Sequence, residues 1–88
     1  MLESVRTEIN QINREIVALY ERRMACVDEV VRIKKEQGLP IEDSKREAEV
    51  LAKMAAYLEN EEYASDIETL FGCIFDLSKQ HQQAKLQE

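Results

Sequence analysis

The chain has 88 residues with two glycines, one proline, 34% charged side chains and a net charge of −6. Its abundant Glu, Lys, Leu, Ala, Gln and Arg are strong helix formers, and its length suits one small domain, so an all-α class is expected. The acidic balance argues against a nucleic-acid partner, which needs clustered cations.

No apolar run approaches the roughly 20 residues of a membrane span. The opening "MLESVRTEIN" has neither the basic start nor the apolar core of a secretory signal, so a cytoplasmic protein is expected. Cys26 and Cys73 form no CxxC pair and read as reduced, buried thiols.

The first element is expected over 2–37. Leu2, Val5, Ile9, Ile12, Ile16 and Leu19 recur in steps of three and four, and after one interruption the series resumes at Cys26, Val30 and Ile33. This is a heptad seam on one long helix, ended by Gly38 and then Pro40. Some 36 residues span about 54 Å, whereas a compact domain of this length has a radius of gyration of about 12 Å. The helix must overhang its own protomer. Its seam therefore calls for a second copy, a homodimer with the long helices antiparallel.

The interruption is Arg23. Lys34 follows it on the same stripe three turns on, about 16 Å away, with Val27 and Val30 between them. Two long cations over an aliphatic floor frame a slot for a small anion; the alternative is that they snorkel to solvent or pair with carboxylates. Arg6 lies about 25 Å from Arg23 and on another face, so it cannot join that slot within one chain. A partner's Arg6 can.

The second helix is expected over 43–59, with Val50, Leu51, Met54, Ala55 and Leu58 on one face. Its start, "LPIEDSKREAEVL", permits two readings. Ser44 and Glu47 fit a capping box, leaving Arg46 on the surface; or Asp43, Arg46 and Glu47 are polar chemistry aimed into a pocket. "ENEEY" (59–63) reads as a polar connection.

The third helix, over 64–86, carries Ile67, Leu70, Phe71, Ile74 and Phe75, and its stripe continues into Ser78 and Gln82. These two neutral hydrogen-bonding residues mark either a pocket wall or a helix end in solvent. His81 has no acid or cysteine nearby in the sequence and reads as a surface residue, with no metal site. No repeat, low-complexity segment or second domain is visible, so 1–88 reads as one domain.

Together these residues make the chain resemble the all-helical chorismate mutases. The likeness runs through "VRTEINQINREIVALYERR" with Arg6 and Arg23, "VVRIKKEQGLPIEDSKRE" with Lys34, Asp43, Arg46 and Glu47, and "SKQHQ" with Ser78 and Gln82. No piece is specific alone, but eight polar positions in order at family-like spacings are. The unit fills the chain, which suggests a free-standing, monofunctional mutase.

The resemblance implies a three-helix protomer in an intertwined homodimer with two composite sites that convert chorismate to prephenate. It implies that Arg23 and the partner's Arg6 grip the two substrate carboxylates, and that Lys34 and Gln82 hydrogen-bond the ether oxygen. Glu47, Arg46 and the Asp43 backbone would hold the ring hydroxyl, with Ser78 near the ring carboxylate. A concerted Claisen rearrangement needs no nucleophile, metal or cofactor, only positioning and preorganised donors. The rivals are an isochorismate-pyruvate lyase of the same fold, against which the Asp43, Arg46 and Glu47 cluster speaks, and a non-catalytic helical dimerisation module. In such a module Arg23 and Lys34 would need carboxylate partners.

Overall fold

The computed structural model describes residues 1–87 as an all-α protomer: α1 (Leu2–Gln37), α2 (Ser44–Ala56) and α3 (Ala64–Leu86), with a 3₁₀ turn at Glu61–Tyr63 before α3. The three helices with a long first member match the sequence expectation. Its extents are 53 × 26 × 15 Å and its radius of gyration 15.9 Å, well above the roughly 12 Å of a compact domain of this length.

The excess comes from α1. Its only buried residues are Val27 and Val31, both in the half that packs on α3. Towards the N-terminus Leu2, Val5, Ile9, Ile12, Ile16 and Leu19 stand 44–62% exposed. A row of exposed apolar residues of this length is the kind of surface that packs against another helix.

α3 joins the other two helices, packing on both α1 and α2, whose backbones do not approach one another. The buried apolar residues are few: Val27, Val31 and Phe75. Phe71 extends this core one turn along α3, its ring tilted 55° to that of Phe75 with centroids 6.1 Å apart, a favourable aromatic geometry. Ser78 and Gln82 are as buried as the core itself, at 7% and 6% exposure. The third stripe therefore ends in a wall, not in solvent.

Two expectations need correction. α2 stops at Ala56, not 59: the amides of Tyr57 and Leu58 turn back to the Met54 and Ala55 carbonyls in a tightened last turn, and the Asn60 side chain accepts from the Glu62 amide to start the 3₁₀ turn. Cys26 and Cys73 are both exposed in the protomer, not buried; the small core does not reach either face. No helix among the described residues is long and apolar enough to cross a membrane.

α1 ends where glycine permits it. Gly38 adopts φ 66°, ψ 32°, and the amides of Gly38 and Leu39 both close on the Lys34 carbonyl. A Cβ added at Gly38 would meet nothing within 4 Å, so only the left-handed backbone opposes substitution. Gly38→Ala should destabilise the protein by about 1 kcal/mol in urea denaturation. A loss several times larger would mean that the turn carries packing beyond its dihedral angle.

Candidate active site

Because α3 separates α1 from α2, a gap opens between them with α3 as its floor. The gap holds a cavity of about 320 Å³, at the small end of the range for ligand sites. Its lining includes Arg23, Lys34, Asp43, Arg46, Glu47, Ser78 and Gln82. Seven of the eight polar residues singled out in the sequence thus meet in one place. Arg6 is not among them; it lies on the exposed N-terminal half of α1.

Val27 and Val30 provide the aliphatic surface between Arg23 and Lys34, as the spacing suggested. Arg23 is half-buried, and its Nη1 is buried with no hydrogen-bond partner. An unpaired buried guanidinium nitrogen is costly unless something else supplies an acceptor. Arg23 lines the cavity, which has room for one.

Lys34 is held more completely. Its Nζ donates to the Ile41 carbonyl at 2.8 Å and to Gln82 Oε1 at 3.2 Å. An ammonium has three protons, so one remains to offer. The same contact orients Gln82: an ammonium can only donate, so it claims the amide oxygen and leaves Gln82 its NH₂, a donor only. One wall of the cavity therefore offers donors from both residues.

The start of α2 settles the two readings of "EDSKRE". Asp43, not Ser44, is the N-cap, its Oδ1 accepting from the Arg46 amide at 3.0 Å. The capping frame sits one residue earlier than the Ser44–Glu47 pattern because aspartate caps as well as serine does. Glu47 is thereby free of capping duty. Its carboxylate lies on the cavity, 3.5 Å from Lys79 Nζ.

Sequence reasoning missed Lys79, as well as Cys26, Ile41, Val50 and Phe75 in the lining. Lys79 stands one helical turn beyond Phe75 and next to Ser78, but only its contact with Glu47 across the helices distinguishes it from a surface lysine. Desolvation works against its charge, but Glu42 and Glu47 outweigh it and hold the ammonium above the ordinary lysine range. The lining then has four cations (Arg23, Lys34, Arg46, Lys79) against two carboxylates (Asp43, Glu47). An excess of two positive charges sits inside a chain of net −6.

His81 also departs from expectation. It is half-buried and its Nε2 pairs with Asp28 Oδ1 across the α1–α3 contact. Its acid lies 53 positions away, so local sequence could not show it.

The family described as chorismate mutase type II matches residues 5–83, a span that contains all eight polar positions. The chain belongs to that family. The family is one of isomerases. Over 50 residues the chain is also 36% identical to the T-protein of Haemophilus influenzae, a stretch covering 57% of this chain and 13% of that protein. The chain thus spans a small fraction of that relative's length. No solved structure matches it at a significant level.

The cap assignment can be checked directly. Asp43→Ala should lower stability by about 1 kcal/mol, the usual loss for a side-chain N-cap. Ser44→Ala, one position inside the helix, should stay within about 0.5 kcal/mol of the parent. Denaturant unfolding of the two variants reads the difference, and the reverse order would restore the Ser44 frame.

Proposed function

We propose that the protein is a chorismate mutase, converting chorismate to prephenate in the cytoplasm on the route to phenylalanine and tyrosine. The observation that carries this reading is the Lys34–Gln82 pair: one charged donor with a proton to spare and one neutral donor oriented by it, side by side in a cavity with excess positive charge.

The rearrangement breaks a C–O bond and forms a C–C bond within one molecule. The substrate must first be held in its compact chair-like conformer. Arg23, which lines the cavity and has an unpaired buried nitrogen, binds one substrate carboxylate, and Ser78 lies near the ring carboxylate. Glu47 and Arg46, with the backbone at Asp43, hold the ring hydroxyl. As the C–O bond lengthens, negative charge grows on the ether oxygen. The spare proton of Lys34 and the amide of Gln82 stabilise it from fixed positions, so little reorganisation is needed at the barrier.

The second carboxylate needs another cation. Arg6, remote in its own protomer, reaches the cavity from a partner when two α1 seams pack antiparallel. The exposed apolar seam supports such a homodimer. A non-catalytic dimerisation module accounts for the seam but not for the cavity: among the described residues Arg23 and Lys34 make no ion pair, and Lys34 bonds only to neutral oxygens. Purified protein incubated with chorismate should consume its absorbance and yield prephenate; its absence would refute the reading.

The shared site has its own test. Arg6→Ala and Arg23→Ala should each be nearly inactive. Subunit exchange between them forms mixed dimers in which one site carries both lesions and the other none. A fraction of activity should return on mixing, and none despite demonstrated exchange would exclude the composite site.

The ether-oxygen role of Gln82 predicts a pH dependence. Its amide does not titrate, so its contribution is constant with pH. In Gln82→Glu the donor exists only while the carboxyl is protonated, and the ionised form repels the charge growing on the oxygen. This variant should be active in acid and lose rate as pH rises through that carboxyl's pKa in the complex, while the parent stays comparatively flat. Lys34→Ala, lacking the charged donor, should fall by about 10²–10³ in rate. Rate against pH for the three proteins, with folding checked by circular dichroism, decides. A Gln82→Glu profile parallel to the parent would remove Gln82 from the chemistry.

A further inference from the structure

Glu47 presents an electrostatic problem. A carboxylate in the wall of a cavity meant for a dianion repels the ligand it is supposed to hold. It also accepts a hydroxyl proton well only if its position is fixed before the ligand arrives.

The structure supplies one cation for it. Lys79 projects from α3, between Ser78 and Gln82, to Glu47 on α2, with Nζ 3.5 Å from Glu47 Oε1 and equally far from Glu42 Oε1, and 3.8 Å from Asp76 Oδ1. The three carboxylates are not equivalent. Glu42 and Asp76 are 68% and 71% exposed, whereas Glu47 and Lys79 are 27% and 24% exposed. Exposed pairs are screened by water and contribute little; the pair with Glu47 is the partly desolvated one. Lys79 and Glu47 both line the cavity.

We propose that Lys79 is a positioning residue, which ties Glu47 to α3 and offsets its charge so that Glu47 can accept the ring hydroxyl of a dianionic substrate. The inference rests on the mutase reading and extends it. Lys79 acts through Glu47, not on the reacting atoms. The ring hydroxyl takes no part in the bond exchange, so its interaction is the same in the bound substrate and the transition state. Such uniform binding enters KM and leaves kcat nearly untouched.

The test is a cycle of four proteins: the parent, Lys79→Met, Glu47→Gln and the double variant, with Lys79→Gln as a polar substitute should the methionine variant fold poorly. Lys79→Met should raise KM about tenfold, the usual scale for losing a charge-assisted contact, with kcat within about twofold of the parent. Lys79→Arg, which keeps the cation, should recover most of the loss. In the Glu47→Gln background the same lysine substitution should have little further effect, because a neutral amide needs no counter-charge. Lys79→Met indistinguishable from an active parent would overturn the inference and leave the mutase reading standing. A penalty undiminished in the Glu47→Gln background would also overturn it, by showing that Lys79 acts on the substrate directly. A parent without mutase activity would overturn both.

Discussion

One ammonium group fixes the geometry on which the site depends. Lys34, near the end of α1, bonds to the Ile41 carbonyl in the connection to α2 and to Gln82 on α3. Because α1 and α2 do not pack on each other, this side chain is a direct tie between α1, the segment that leads into α2, and the far end of α3. The tie also sets polarity. Lys34 claims the Gln82 oxygen, and the donor character of both groups follows from that contact. Gly38 terminates α1 one turn later, returning its amide to the carbonyl of Lys34 itself. The backbone that makes the turn and the side chain that anchors it thus belong to one residue.

Much of this was legible in the sequence because it follows from helical periodicity. The seam from Leu2 to Leu19, the stop at Gly38 and the shared stripe of Arg23 and Lys34 depend only on 3.6 residues per turn. Ser78 and Gln82 were visible as polar residues where apolar ones belonged, though only the structure shows that the stripe ends in a buried wall. What was not legible depends on contacts between helices. Lys79 reads as an ordinary helix-surface lysine until Glu47 is brought opposite it, and His81 reads as unpartnered until α3 lies beside Asp28. The cap at Asp43 was not legible for a local reason: aspartate and serine are adjacent and equally able, and the sequence does not say which leaves the helix.

The charge distribution carries a further consequence. A chain of net −6 repels a dianion at long range, yet the lining of the cavity has two excess positive charges. At physiological ionic strength the Debye length is about 8 Å, so charges on the far side of a molecule 53 Å long are screened from the cavity. What an approaching anion meets is the local excess, and Lys79 and Arg46 are two of the four cations that produce it. Asp43 is engaged at its helix start and Glu47 faces Lys79, so among the described residues the side chains of Arg23, Lys34 and Arg46 have no acidic partner, and the first two share the α1 wall. Two such cations along one helix face, separated by valines, suit a small, flat ligand with anionic or electron-rich oxygens at separated points. That complementarity resides at short range, in unpaired donors on a partly desolvated wall. Binding strength should therefore be governed by the fit of individual groups more than by the sign of the whole protein's field.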